Sequence, residues 1–298
     1  EYAMSSIYAK RMGSLGTETA FEVLAKAKAL EKQGREVIHL EIGEPDFDTP
    51  TNIKEAAVKA LYSGYTHYVP AAGIPELREA IAEHISKTRR IPVDPEEVVV
   101  TPGAKPVIFF TILACVDPGD EVLYPNPGFP IYESVIRFAG GKPVPIPLKE
   151  ENDFRPDHEY IKSKITKKVK MIILNSPENP TGGILTKEDL KVIADCIANR
   201  DDVVVVSDEV YSRIIYEGEH QSIASLPGRI STITPVSKIL FIFPSKISPT
   251  FISRVRSLIQ KRASSALFLL FAVIKTLPSS SKSIVTPVFS IILFIVLP

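Results

Sequence analysis

The sequence predicts an α/β protein with a mostly parallel sheet flanked by helices on both faces. From Glu97 onward, strand-like and helix-like segments alternate. The strand-like segments, such as Met171–Leu174 and Val203–Val206, are continuous apolar runs rather than polar/apolar alternations. That is the pattern of strands buried on both faces. Polar, turn-forming motifs follow these two runs directly: Asn-Ser-Pro-Glu-Asn-Pro-Thr-Gly-Gly over 175–183, and Ser-Asp-Glu-Val-Tyr over 207–211. Functional groups thus gather just past strand ends, where open α/β sheets bind ligands.

Taken in order, Ala20–Gly34 carries Ala20, Val23, Leu24, Ala27 and Leu30 on one helical face, and Gly34 stops it. Val37–Ile42 reads as a strand, and the turn-rich acidic segment 43–50 follows. Asn52–Ser63 and Ile74–Thr88 read as helices. Val98–Thr101 is strand-like and leads into an apolar helix ending near Cys115. Glu121–Tyr124 is a strand, followed by a helix over Pro130–Ala139. Val144–Pro147 is a weak strand because of its prolines. A helix near Asp157–Ile165 precedes the strand Lys170–Asn175. Thr186-Lys-Glu-Asp189 resembles a capping box and starts a helix reaching Asn199. Val203–Val206 closes the series, and no internal repeat is visible.

The chain of 298 residues is long enough for two domains, and its 45% apolar and 23% charged residues are ordinary for a globular protein. A formal net charge of zero gives no support to a nucleic-acid or acidic-membrane partner. Cys115 and Cys196 sit in apolar helical patterns and read as buried thiols, without the spacing of a metal site or a disulfide framework. The segment 1–13 lacks the apolar core of a signal peptide, and a cytoplasmic setting is the expectation. The apolar runs Ala266–Ile274 and Ile284–Leu297 fall short of the roughly 18–20 residues of a membrane span.

The averages conceal a break. All 35 Asp and Glu precede Gly228, whereas residues 229–298 contain no Asp, Glu or Gly but nine Lys or Arg and thirteen Ser. With 26 basic and 35 acidic residues, the first 228 positions carry −9 and the tail +9.

The motifs after the strands carry the chemistry. Taken alone, an Asp after a Val run such as Asp208 is more often a helix cap or a metal ligand, and Asn179 a turn former before Pro180. Thr101-Pro102-Gly103-Ala104-Lys105 joins a strand to a helix, and such a loop offers free N–H groups and a positive dipole end to an anion. Phe129, in Pro-Asn-Pro-Gly-Phe-Pro, follows the strand ending at Tyr124. Tyr68 lies in Thr-His-Tyr-Val-Pro, ahead of Gly73 and Glu76-Leu77-Arg78, and Gly43 precedes Glu-Pro-Asp-Phe. Read singly, Phe129 is a core residue, Tyr68 a turn residue and His67 a surface residue.

In this order and spacing, over roughly residues 20–228, the motifs resemble the class I/II aminotransferases, enzymes that depend on pyridoxal 5′-phosphate. The resemblance implies a large cofactor-binding domain over 46–228. It also implies an N-terminal arm with part of a small domain over 1–45, and a tail over 229–298 that departs from the family. Asp208 would pair with the pyridine nitrogen and keep it protonated, so that the ring accepts electron density. Asn179 and Tyr211 would bond the phenolic oxygen, Gly103, Ala104 and Lys105 would hold the phosphate, and Phe129 would stack on the ring. Tyr68 would reach the phosphate of a neighbouring subunit, which implies a homodimer, and Gly43 would meet the substrate carboxylate. The implied activity is transfer of an amino group from an amino acid, of aspartate or aromatic type, to a 2-oxo acid. A lyase of the same fold, or a non-catalytic chain, would keep the same cofactor contacts.

The reaction needs a lysine that forms a Schiff base and carries the proton. In the family it sits in a Ser-Lys pair some thirty-odd residues past the Asp. Ser237-Lys238 places Lys238 thirty residues after Asp208 and is the preferred candidate; the other reading of the tail is that it holds no functional lysine. Ser245-Lys246, with Arg254 eight residues on, is the second. Neither has the family's surrounding glycines. The family's carboxyl-terminal third is not matched, and the break predicts a departure of reading frame near residue 229.

Overall fold

A computed structural model describes residues 8–16, 19–43 and 47–226, together with the backbone of 231–236 and 239–243. Among them are helices α1 (Thr19–Glu31), α2 (Thr51–Tyr62), α3 (Pro75–Arg89), α4 (Ala104–Cys115), α5 (Ile131–Phe138), α6 (His158–Lys164) and α7 (Lys187–Ile197). The strands are β1 (Val98–Val100), β2 (Glu121–Asn126), β3 (Lys142–Pro147), β4 (Val169–Asn175), β5 (Val204–Asp208), β6 (Ser231–Val236) and β7 (Ile239–Phe243). By contact density the described residues form two compact units, one of 16–68 and one of 8–15 with 69 onward. All seven strands lie in the second.

These strands form one sheet in the order β1-β7-β6-β5-β4-β2-β3. β7 runs antiparallel to both neighbours, and every other pairing is parallel. The unbroken apolar runs follow from burial on two faces. In β4, Met171 and Ile173 pack with α4 and α5, while Ile172 and Leu174 pack with α6 and α7. Next to β4, Val204 and Val206 join the first layer, and Val203 and Val205 the second. Successive side chains of a strand point to opposite faces, so each face receives every second residue.

β3 shows why its prolines are tolerated. It pairs only with β2, at the sheet edge. The N–H groups of Lys142 and Leu148 point inward to Asp120 and Asn126, so Pro143, Pro145 and Pro147, at the intervening register, face outward where no ladder donor is needed. Two features depart from the sequence expectation. Val37–Ile42 joins no ladder among the described residues, and Ile38 and Leu40 are 83% and 89% exposed. Among the described residues its β-forming pattern has no partner strand, and unpaired backbone gives a strand nothing to hold it. Conversely, the series does not close at Val206: β6 extends the parallel sheet beside β5, with Val206 opposite Ile233.

At the start of α7 the capping box forms as expected. Thr186 Oγ1 accepts from the Asp189 N–H at 3.2 Å, and Asp189 Oδ2 accepts from the Thr186 N–H at 2.8 Å. Asp189 also meets His158 Nε2 at 2.7 Å and Arg155 at 3.5 Å, tying the approach to α6 onto α7. Burial alone would raise its pKa, but the Thr186 and His158 hydrogen bonds and Arg155 hold it below the usual carboxylate range. Asp189→Ala is expected to destabilise the chain by about 2–4 kcal/mol at neutral pH. The loss should shrink as pH falls below the ordinary Asp range, because a depressed pKa gives stability only above it. Urea melts at pH 7 and pH 3 check this; an equal loss at both would refute the ionic account.

Candidate active site

The carboxyl ends of β2, β4 and β5 and the amino end of α4 surround a cleft of about 330 Å³. Its floor and walls come from four pieces of chain. Pro102 to Lys105 and Ile108 form the start of α4; Phe129 and Tyr132 come from the region after β2. Asn175 and Asn179 follow β4, and Asp208, Val210 and Tyr211 follow β5.

The start of α4 is built for close approach of a ligand. Gly103 has φ +104° and ψ 171°, a conformation that only glycine adopts without strain, and no side chain caps the helix. The Thr101 hydroxyl donates to the Gly103 carbonyl at 2.7 Å, and the Gly103 N–H to the Thr101 carbonyl at 2.8 Å, fixing the turn from inside. A Cβ on Gly103 would meet no atom within 4 Å, so open space lies over the turn. A helix start of this kind offers orphan N–H groups to an anion. Lys105 Nζ adds positive charge at this end, 5.6 Å from the centre of the Phe129 ring.

The other end is acidic. Asp208 closes β5, is 3% exposed, and accepts from the Tyr132 hydroxyl at 2.8 Å and, at 3.4 Å, from the Val210 N–H. Burial pushes its carboxyl up to about 6, against the opposing pull of the Tyr132 hydrogen bond. The backbone beneath it is clamped, because Asn175 Nδ2 and the Ser176 N–H both donate to the Asp208 carbonyl, at 3.0 and 3.1 Å. Asn175 Oδ1 in turn accepts from the Asn179 N–H at 2.9 Å, joining the two loops. Phe129 meets Tyr132 edge-on, with ring centres 5.9 Å apart. Tyr211 stands at the rim, 37% exposed.

Seven residues singled out from sequence therefore share one cleft: Gly103, Ala104, Lys105, Phe129, Asn179, Asp208 and Tyr211. Gly43 and Tyr68 belong to the other compact unit; Gly43 is exposed, and Tyr68 is 80% exposed. Lys238 and Lys246 lie outside the described residues. Sequence reading missed Tyr132 and Asn175. Tyr132 occupies an apolar position of α5 beside Val135 and Ile136, so its pattern signals packing and hides the hydroxyl. Asn175 had a usable signal, as a polar residue ending a buried strand. Among the described residues no cluster of three or more His, Cys, Asp or Glu could hold a metal, and no helix is long and apolar enough to cross a membrane.

A sheet covered on both faces, with an uncapped helix start and a buried carboxylate at its carboxyl edge, offers a site for a ligand with an anionic group at one end and a basic group at the other. The sequence pattern of the family "Aminotransferase class I and II" matches residues 35–241. A probable aspartate/prephenate aminotransferase of Aquifex aeolicus is 45% identical over 227 residues, 76% of this chain and 57% of that protein. An aspartate aminotransferase of Pyrococcus abyssi is 49% identical over 209 residues, 68% of this chain and 54% of that protein. A solved alanine aminotransferase from Pyrococcus furiosus superposes with a TM-score of 0.80 at 34% identity, over 86% of this chain and 68% of that one. The chain belongs to the class I and II aminotransferase family, whose members use pyridoxal 5′-phosphate. It spans a little over half the length of these two curated relatives.

The cleft fits that cofactor. Asp208 is a buried anion with one short hydrogen bond and no cation bonded to it among the described residues. A protonated ring nitrogen supplies what it lacks. The uncapped helix start with open space over Gly103 suits a phosphate. Without the cofactor, the burial of Asp208 is a cost. Its raised pKa means that stability present below pH ~4 is lost as pH rises through about 6. Asp208→Asn, which keeps an acceptor for Tyr132, is expected to stabilise the cofactor-free chain by up to about 3 kcal/mol at pH 7 and by nothing at pH 4. Melting curves at the two pH values measure this; equal effects would contradict it.

Proposed function

We propose that this chain is an aminotransferase that moves an amino group from an amino acid of aspartate or aromatic type to a 2-oxo acid. The buried Asp208 carboxylate facing the cleft carries the reading. When bound, pyridoxal phosphate supplies a ring that accepts electrons from the substrate α-carbon. Asp208 holds a proton on the ring nitrogen. Asn179 and Tyr211 donate to the phenolic oxygen and favour its ionised form. The backbone of Gly103, Ala104 and Lys105 would hold the phosphate, and Phe129 would stack on the ring, contributing roughly 0.5–1.5 kcal/mol beyond burial. Gly43 meets the substrate carboxylate through its backbone. Tyr68 reaches the phosphate of a second copy, which makes the working form a homodimer, and a cytoplasmic setting suits a chain with two free cysteines. The aspartate preference draws support from the names of the two curated relatives, although the solved neighbour is named for alanine.

The lysine that takes the α-proton is assigned to Lys238 on strand direction. β6 is parallel to β5, so it delivers the chain to the cleft edge at Val236, two residues before Lys238. β7 is antiparallel and carries the chain to the opposite edge before Lys246. Residues 46–228, extended by β6 and β7, would then form the cofactor domain, with 1–45 contributing an arm and part of a small domain. Incubation with pyridoxal phosphate and borohydride, followed by peptide mapping, should label Lys238, and Lys238→Ala should lose the label and amino-transfer activity by at least 10³-fold. Labelling of Lys246 instead would overturn the assignment. Absence of any label, with pyridoxal phosphate still bound, would favour the non-catalytic reading.

A further inference from the structure

Glu178 is buried beside the site, yet the functions assigned above do not use it. It is 6% exposed, and its two oxygens have different surroundings. Oε2 accepts from the Thr181 N–H at 2.8 Å and from the Thr181 hydroxyl at 2.6 Å. Oε1 is buried with no hydrogen-bond partner among the described residues. The main chain around it is closed by two further bonds: the Glu178 N–H donates to the Gly183 carbonyl, and the Gly182 N–H to the Glu178 carbonyl, both at 2.9 Å. Thr181 Oγ1 also accepts from the Gly183 N–H at 3.2 Å. Gly182 turns the chain with φ +76°, and a Cβ on Gly183 would come within 3.0 Å of the Phe154 carbonyl, so the loop is pinned at its far end.

Asn179 lies inside this closed loop and faces the cleft. Among the described residues, its N–H bond to Asn175 holds it from the strand side. We propose that Glu178 is a positioning residue that locks the 178–183 loop through Thr181 and so sets where the Asn179 amide meets the phenolic oxygen of the cofactor. This rests on the cofactor reading above. A loop residue that places an amide needs no charge. Burial raises the Glu178 carboxyl above the usual range, in keeping with a group that serves through its hydrogen bonds.

The test compares two ligands by equilibrium dialysis against the full chain: pyridoxal phosphate, and its analogue lacking the ring hydroxyl. Asn179 can act only on the first. Glu178→Ala is expected to weaken pyridoxal phosphate at least tenfold while moving the analogue less than threefold. Glu178→Gln, which retains an acceptor for Thr181, should stay within threefold of the parent for both. If Glu178→Ala does not fold, Thr181→Val decides: it removes the hydroxyl's bonds to both Glu178 Oε2 and the Gly183 N–H, and a loss of about fivefold or more for pyridoxal phosphate is expected, with the analogue moved less than threefold. Equal weakening of both ligands, or none, overturns the proposal, as does a Gln variant as impaired as the Ala variant. A parent chain that binds neither ligand would instead sink the cofactor reading itself.

Discussion

Everything in the cleft depends on a carboxylate kept out of water with too few partners. Asp208 ends β5, every residue of which is buried. Its side chain has one short donor, the Tyr132 hydroxyl, and one long one, the Val210 N–H. Its own carbonyl, by contrast, accepts two bonds from the neighbouring loop. The main chain is held rigidly while the charge is left under-satisfied, and an under-satisfied buried anion favours binding of a cation. Fixing the backbone matters because a mobile carboxylate would turn toward solvent and relieve its own desolvation.

Glu209 shows the contrast one residue further on. It is completely buried, yet it has four partners: the Ser207 and Ser222 hydroxyls, Arg89 Nε at 2.8 Å and His220 Nε2 at 3.0 Å. The His220 approach lacks the alignment of a hydrogen bond. Burial would raise this carboxyl, but His220, Arg89 and Ser222 outweigh it and hold it low. The side chains of residues 208 and 209 point apart, one into the cleft and one into the interior, where Glu209 ties the end of α3 to the segment 220–225. Equal burial with opposite shifts separates a carboxylate available to a ligand from one spent on the fold.

Sequence exposed the parts of this arrangement that follow from period and from local chemistry. Runs such as Val203–Val206 announce two-sided burial, and Thr186 to Asp189 announces a helix start, because each depends on residues close in the chain. Features that depend on a distant partner were not legible. Val37–Ile42 has strand-forming residues but, among the described residues, no strand to pair with. Tyr132 has a helix-core pattern, and its hydroxyl gains meaning only when Asp208, 76 residues away, arrives beside it. β6 and β7 lie where acidic residues and glycine vanish from the sequence, yet β6 and most of β7 fall within the family match, which runs to residue 241.

The cleft's two ends carry opposite polarity, and this restricts how a ligand can enter. The helix start at Gly103, with Lys105 near it, is positive; the end of β5 is negative. A flat ligand bearing both an anionic group and a protonated nitrogen has one favourable orientation and one in which like charges meet at both ends. Inside a site of low effective dielectric such a reversal costs several kcal/mol. In the proposed reading, groups on α4 and β5 would fix the orientation. In the same reading, the loop residues Asn179 and Tyr211 would then have only to adjust the ligand's electronic state. That division explains why the charged ends sit on regular structure and the hydrogen-bonding groups sit on loops.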